Sequence, residues 1–333
     1  MVTVVVATPI EPELADRLRA VDERLDVRYE PDLLPPPLFP SDHTGDPSFE
    51  RTPEQEERFA TLVANAEVLF GFPREEPSQI AWAVRTAPSL RFVQATYAGA
   101  GQQLAAAGLT PDELERIQWA SSSGVHATTL AEWSIFGILA FRKGLPRLQA
   151  DQRSGTWVHY PVDELRDATV LILGFGDIGR ETGRLAEAFG MRVTKLTTTE
   201  GDLDELLPDA DAIVVTLPLT EQTRGLIDRD RIARMKPGVT FVNVGRGAVV
   251  DEDALIDALR DGRIRGAALD VFTHEPLPPE SLLWELDNVI VSPHTAALSV
   301  RENERVVELF AENLRRYLAG EELLSRIRTD LFY

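Results

Sequence analysis

Val170-Leu171-Ile172-Leu173-Gly174-Phe175-Gly176-Asp177-Ile178-Gly179 is an apolar run that breaks at once into a Gly-x-Gly-x-x-Gly loop. Arg180–Phe189 follows with helical patterning, so the stretch reads as strand, tight turn and helix. Each glycine has a mechanical reason. The first allows the turn, the second lets backbone approach a pyrophosphate, and the third packs the helix on its strand. The helix then offers free N–H groups and a partial positive charge to phosphates. By itself this loop is a weak signal, and its value depends on what surrounds it.

Outward from the loop the context is consistent. Strand patterns recur at Thr169–Leu173, Arg192–Leu196, Ala212–Leu217, Thr240–Val244, Ala267–Phe272 and Val289–Val291. These six have the strand count of a full dinucleotide fold. Upstream, strands at Val2–Ala7, Leu25–Tyr29, Val68–Phe72 and Leu90–Thr96 alternate with helices at Pro12–Glu23, Pro53–Asn65 and Pro77–Thr86. Such alternation predicts a second parallel sheet with helices on both faces. A proline-rich excursion, Pro31 to about Arg51, interrupts it. Thr128–Gln149 reads as one long helix, and Val300–Ala319 as a last helix stopped by Gly320.

At 333 residues the chain is long enough for two domains, and 44% apolar composition is ordinary for a globular protein. The net charge of -20 opposes nucleic acid and anionic membrane as partners. No cysteine is present, which removes disulfides and thiolate chemistry. Val2–Ala7 has no basic leader, and no apolar run reaches membrane-spanning length, so a cytoplasmic location is expected.

Three of the strands end in chemistry. Val242-Asn243-Val244 runs into Gly245-Arg246-Gly247, Leu269-Asp270-Val271-Phe272 into His274-Glu275-Pro276, and Val289-Ile290-Val291 into Ser292-Pro293-His294. Parallel strands would place Arg246, Glu275 and His294 past the carboxyl edge of one sheet, where open α/β sheets bind ligands. A planar guanidinium suits a carboxylate. A carboxylate beside an imidazole orients the ring and favours its protonated form. Flanking glycines would let backbone at Arg246 approach a ligand. His43, His126, His159 and His274 are taken as structural.

These residues carry a resemblance. Leu171 through Ala297 resembles the D-isomer-specific 2-hydroxyacid dehydrogenases, through Gly174–Gly179, Leu217-Pro218-Leu219-Thr220, Met235-Lys236-Pro237-Gly238, Val242–Gly247, Leu269–Phe272, Glu275–Pro278 and Ser292–Thr295. Ser123–Ala127 and Ala131-Glu132-Trp133 extend it upstream. The resemblance implies two doubly wound α/β lobes with the active site in the cleft between them. One is a Rossmann dinucleotide-binding domain at 101–295. The other is a smaller flavodoxin-like substrate-binding domain at 1–100 and 296–333. It implies reversible hydride transfer between NAD(P)H and a small 2-oxo acid, giving a D-2-hydroxy acid of glyoxylate/hydroxypyruvate type or longer. Nothing in the motifs requires a metal.

By the same resemblance Arg246 binds the substrate carboxylate and oxo oxygen, His294 is the acid–base, and Glu275 is its partner. Cofactor contacts fall on Gly174, Phe175, Gly176, Asp177, Ile178, Gly179, Thr197, Thr198, Leu217, Pro218, Thr223, Val244, Gly245, Asp270 and His294. The small-residue loop Tyr97-Ala98-Gly99 lines the substrate, although Gly101 stands where the family usually has an acid. The second strand ends in Thr197-Thr198-Thr199 without the acid that reads an NAD ribose, and with no arginine to clamp a 2′-phosphate. Dual cofactor use with a modest lean to NADP(H) is expected. A homodimer through the cofactor lobe is implied as well. A formate dehydrogenase would carry glutamine in place of Glu275. An NAD(H)-sensing binding protein or corepressor on the same fold is the rival from another class.

Overall fold

The structure, a computed structural model, describes residues 1–72 and 76–332. The chain divides into two compact units, Met1–Val125 with the segment from Leu298 onward, and His126–Ala297.

The first unit is built on five parallel strands: β1 (Val2–Val6), β2 (Leu25–Arg28), β3 (Val68–Phe70), β4 (Phe92–Gln94) and β5 (Gln118–Ala120). Their order is β2-β1-β3-β4-β5, the flavodoxin-like arrangement. Alternation along the strands feeds two cores. Val5, Leu69 and Val93 pack with Phe59, Val63, Ile80 and Val84 on one face. Val4, Val6, Phe70 and Phe92 pack with Leu14, Leu18, Phe310 and Leu314 on the other. The closing helix, Glu302–Ala319, joins this unit by stacking Phe310 on Phe70 at 4.2 Å between ring centroids.

One expected boundary moves. Residues 101–125 are expected in the cofactor lobe, yet β5 pairs with β4 and extends the first sheet. Three residues are too few for alternation to announce a strand; burial of Trp119 and Ile117 in the first core holds it there. The division lies at Val125/His126, and at the other end at Ala297/Leu298.

The second unit contains β6 (Thr169–Leu173), β7 (Arg192–Leu196), β8 (Ala212–Val215), β9 (Val239–Asn243), β10 (Ile264–Leu269) and β11 (Val289–Val291), all parallel. Their order is β11-β10-β9-β8-β6-β7. The count of six holds, but one strand lies beyond β6 instead of two as in the full 3-2-1-4-5-6 sheet. Only a short helix, Leu203–Leu206, and a single 3-10 turn separate β7 from β8, which leaves no segment for another strand. The chain reverses its direction of growth between β7 and β8, so the switch point opens beside β6 and its glycine loop.

The expected single helix over Thr128–Gln149 is two helices, Ala127–Arg142 and Leu145–Ser154. Gly144 is left-handed at φ 70°, and Pro146 in the next turn has no N–H to continue the first helix. The first of these helices is buried on most of its surface, with Ile135, Ile138 and Phe141 against Val170, Ile172, Val214 and Val242 of the sheet.

Candidate active site

The glycine loop folds as its spacing predicts. Gly174 is at φ 93°, and a Cβ there would meet Leu217 and Thr216 side chains at 3.0 Å. A Cβ on Gly179 would lie 2.2 Å from the Gly174 carbonyl oxygen, so helix and strand end touch. At Gly176 a Cβ would meet nothing within 4 Å. That open space, above the uncapped N-terminus of the helix Asp177–Ala188, is a cradle a dinucleotide pyrophosphate fits. Phe175 and Ile178 are partly buried against the sheet-side core. Asp177 is turned aside, its Oδ1 accepting from Arg180 Nη2 at 2.5 Å.

The carboxyl ends of β8 and β9 continue the edge. Thr216 Oγ1 donates to the Gly174 carbonyl at 2.7 Å and ties β8 to the loop. Leu217 and Pro218 follow, and Thr223 Oγ1 donates back to the Pro218 carbonyl at 2.6 Å, closing that loop on itself. Val244 and Gly245 are buried. Asn243, which the sequence reading passed over, shapes the turn: its Oδ1 accepts from Gly245 N–H at 3.0 Å and its Nδ2 donates to the Arg246 carbonyl at 3.3 Å. A buried amide inside an otherwise apolar strand was the available signal.

Arg246 is half-buried, with Nη1 donating to the Gly245 carbonyl at 2.7 Å. Its flanking glycines have a structural reason of their own. A Cβ on Gly245 would lie 2.6 Å from the Leu217 carbonyl oxygen, and one on Gly247 would lie 1.9 Å from the Phe272 carbonyl carbon. Both glycines make room for neighbouring chain.

Adjacent strands β10 and β11 supply the acid–base pair. His294 Nδ1 and Glu275 Oε2 are 2.7 Å apart, and Glu275 Oε1 accepts from Phe272 N–H at 3.0 Å. His294 itself is left-handed at φ 53°, a conformation that costs a non-glycine residue about 1 kcal/mol. It is held there by Asp270. The Asp270 carbonyl accepts from His294 N–H at 3.0 Å, while its Oδ1 accepts from Ser292 Oγ, Thr295 N–H and Ala296 N–H at 2.6–2.9 Å. Asp270 is 1% exposed, and burial pushes its carboxyl above the ordinary value against the opposing pull of those donors and of His294. Ser292 is the second residue the sequence reading passed over.

At the end of β7, Thr197 is partly buried and Thr198 exposed. The Lys195 ammonium lies 3.0 Å from Glu200 Oε2 and 5.1 Å from the Phe175 ring centroid. Lys195 was not singled out from the sequence, because it stands inside the strand and not after it.

In the first unit Tyr97, Ala98 and Gly99 follow β4, and Gly99 precedes the helix Ala100–Ala106. Tyr97 is half-buried and packs against that unit's core. His43 is buried with Nδ1 3.2 Å from Thr8 Oγ1, in keeping with a structural role.

Among the described residues, no helix is long and apolar enough to cross a membrane. A dinucleotide cradle beside a carboxylate–imidazole pair and an arginine, all on one sheet edge, is the equipment of a nicotinamide-dependent oxidoreductase. Residues 135–296 match the family model for the D-isomer specific 2-hydroxyacid dehydrogenase NAD binding domain. The chain is 35% identical over 217 residues to a glyoxylate reductase from Thermofilum pendens, covering 60% of this chain and 64% of that protein. It is 35% identical over 212 residues to an (S)-sulfolactate dehydrogenase from Chromohalobacter salexigens, covering 59% and 69%. A D-isomer specific 2-hydroxyacid dehydrogenase from Xanthobacter autotrophicus Py2, solved with NADPH and MES, superposes with a TM-score of 0.75 at 30% identity, covering 99% of this chain and 100% of that one. The chain belongs to the D-isomer-specific 2-hydroxyacid dehydrogenase family. It is an NAD(P)-dependent oxidoreductase that interconverts 2-oxo and 2-hydroxy acids.

Proposed function

We propose that this enzyme reduces a small 2-oxo acid, of glyoxylate or hydroxypyruvate type or somewhat longer, to its D-2-hydroxy acid, with a modest lean to NADP(H). The observation that carries the residue roles is the 2.7 Å His294–Glu275 bond on strand ends next to Arg246. The bound nicotinamide supplies the hydride. Arg246 holds the substrate carboxylate and oxo oxygen with its planar fork. His294 donates a proton to the oxygen during reduction and removes the hydroxyl proton during oxidation. Glu275 orients the ring through Nδ1, which leaves Nε2 for the substrate and gives the imidazolium a counter-charge. Asp270 positions His294 from behind, at the nicotinamide end of the cofactor site in this reading.

For the cofactor, Gly174–Gly179 bind the pyrophosphate, Thr197 and Thr198 the adenosine ribose end, and Leu217, Pro218, Thr223, Val244 and Gly245 line the strand-end surface between. Phe175, Asp177 and Ile178 contribute backbone. Tyr97, Ala98 and Gly99 belong to the first unit, the substrate-binding domain of this reading. The lean to NADP(H) is supported by the missing acid at the end of β7 and by the NADPH held in the Xanthobacter relative. A homodimer through the second unit is supported by Trp157, 90% exposed, with Leu148, Val158 and Val162 also exposed nearby in sequence. A cytoplasmic location rests on composition alone.

Oxidation of NADPH and NADH, followed with glyoxylate, hydroxypyruvate, pyruvate and longer 2-oxo acids, tests this reading. We expect turnover with at least one short acid and the higher kcat/KM with NADPH. Tight NADPH binding with no turnover on any of these acids would overturn it in favour of the nucleotide-sensing alternative.

A further inference from the structure

We propose that Lys195 selects the phosphorylated cofactor by exchanging one anion for another: its ammonium, paired with Glu200 in the free protein, takes the 2′-phosphate of NADP(H) on binding. This rests on the cofactor reading above and names the residue that would decide between the two dinucleotides.

The end of the second strand is where this fold reads the adenosine ribose. Lys195 projects from β7 toward Phe175, the residue between the first two glycines of the cradle, so its charge stands beside the cofactor loop. The following turn carries Glu200 back onto it. Thr197 N–H donates to the Glu200 carbonyl at 2.8 Å, and Gly201, at φ 96°, would place a Cβ 2.8 Å from the Lys195 carbonyl oxygen. Only glycine fits so close an approach of the turn to the strand. The Glu200 carboxylate, the first acid after the strand end where an unphosphorylated ribose is read, is therefore occupied by Lys195.

The pair is also easily opened. Lys195 is 37% and Glu200 61% exposed, and ion pairs this wet hold weakly. A phosphate carries nearly twice the charge of a carboxylate and three acceptor oxygens. The exposed hydroxyls of Thr198 and Thr199 flank the same place. Released, Glu200 faces solvent, and its repulsion of the phosphate is what the free ion pair masks.

The test is the binding of NADPH and of NADH to the full chain, read by nicotinamide fluorescence without any acid substrate, for the wild type, Lys195→Met and Glu200→Gln. Lys195→Met should weaken NADPH by about tenfold while NADH changes less than about twofold, in line with loss of one charge-assisted contact. Glu200→Gln should move NADPH the other way, several-fold tighter, again sparing NADH. Added salt should weaken NADPH more than NADH in the wild type and equally in Lys195→Met. Equal effects of Lys195→Met on both dinucleotides, or none on either, would overturn the proposal. So would a wild type that binds NADH and not NADPH, which leaves the dinucleotide reading standing. Failure of the wild type to bind either cofactor would remove that reading, and this proposal with it.

Discussion

At the residue scale, the site depends on charges whose neighbours define their use. Arg246 keeps its guanidinium turned to a backbone carbonyl, so its role rests on geometry more than on charge. Arg246→Lys retains the charge and loses the fork. It should raise KM for the 2-oxo acid by about tenfold or more, with dinucleotide affinity unchanged, in steady-state and binding measurements side by side. Asp270 offers a test with a sign. Its folded-state carboxyl lies above the ordinary value because of burial, so the folded chain favours the protonated form more than the unfolded chain does. Its contribution to stability is present at low pH and is lost as pH rises through the raised value. Asp270→Asn removes that dependence. Denaturation midpoints of variant and wild type, compared from about pH 4 to about pH 7, should therefore shift in the variant's favour as pH rises. A difference that stays flat with pH would count against a desolvated carboxylate. Because Asp270 also braces the left-handed His294, the same variant should lose activity.

Elements differ in how plainly they announce themselves. The strands of the second unit are short, and all six lie within three residues of where their pattern puts them. β5 is three residues long and was invisible, because a strand that short is specified by the neighbour it pairs with and not by its own period. The long apolar segment after residue 127 kept its helical period across Gly144, and the left-handed conformation there, with Pro146 in the next turn, divides it. The glycines beside Arg246 were legible as special but not for the right reason. What requires Gly247 is the chain leaving β10, which passes against it at Phe272 and Thr273. Gly247→Ala should accordingly destabilise the second unit by about 2 kcal/mol or more in equilibrium denaturation. It should also disturb Glu275 through Phe272, whose N–H that carboxylate accepts.

For the whole molecule, two sheets of one architectural type carry different roles, and the exposed apolar residues around Trp157 lie on the second unit. If they form the seam of a dimer, Trp157→Glu should yield monomers in analytical ultracentrifugation at concentrations where the wild type sediments as a dimer. A wild type that sediments as a monomer would place that patch outside any self-association. The acidic surface adds an expectation of its own. Long-range repulsion of an anionic acid should ease with salt, so its association rate should rise modestly with ionic strength up to physiological values.

The sequence by itself determined the order of ten of the eleven strands, the glycine cradle, and the three strand ends that hold arginine, glutamate and histidine. These are local properties: a hydrophobic period, a turn that only glycine makes, a side chain at the end of an apolar run. Tertiary structure alone decided the rest. It set which strands are neighbours, how many lie beyond β6, that residues 101–125 complete the first sheet, and that Lys195 and Glu200 meet. It also set which buried polar groups, Asn243, Asp270 and Ser292, hold the functional loops in place. The reason is physical. Strand pairing and burial are made between segments far apart in the chain, and even near neighbours such as Lys195 and Glu200 meet only through the turn that Gly201 allows, so no local pattern encodes the partner.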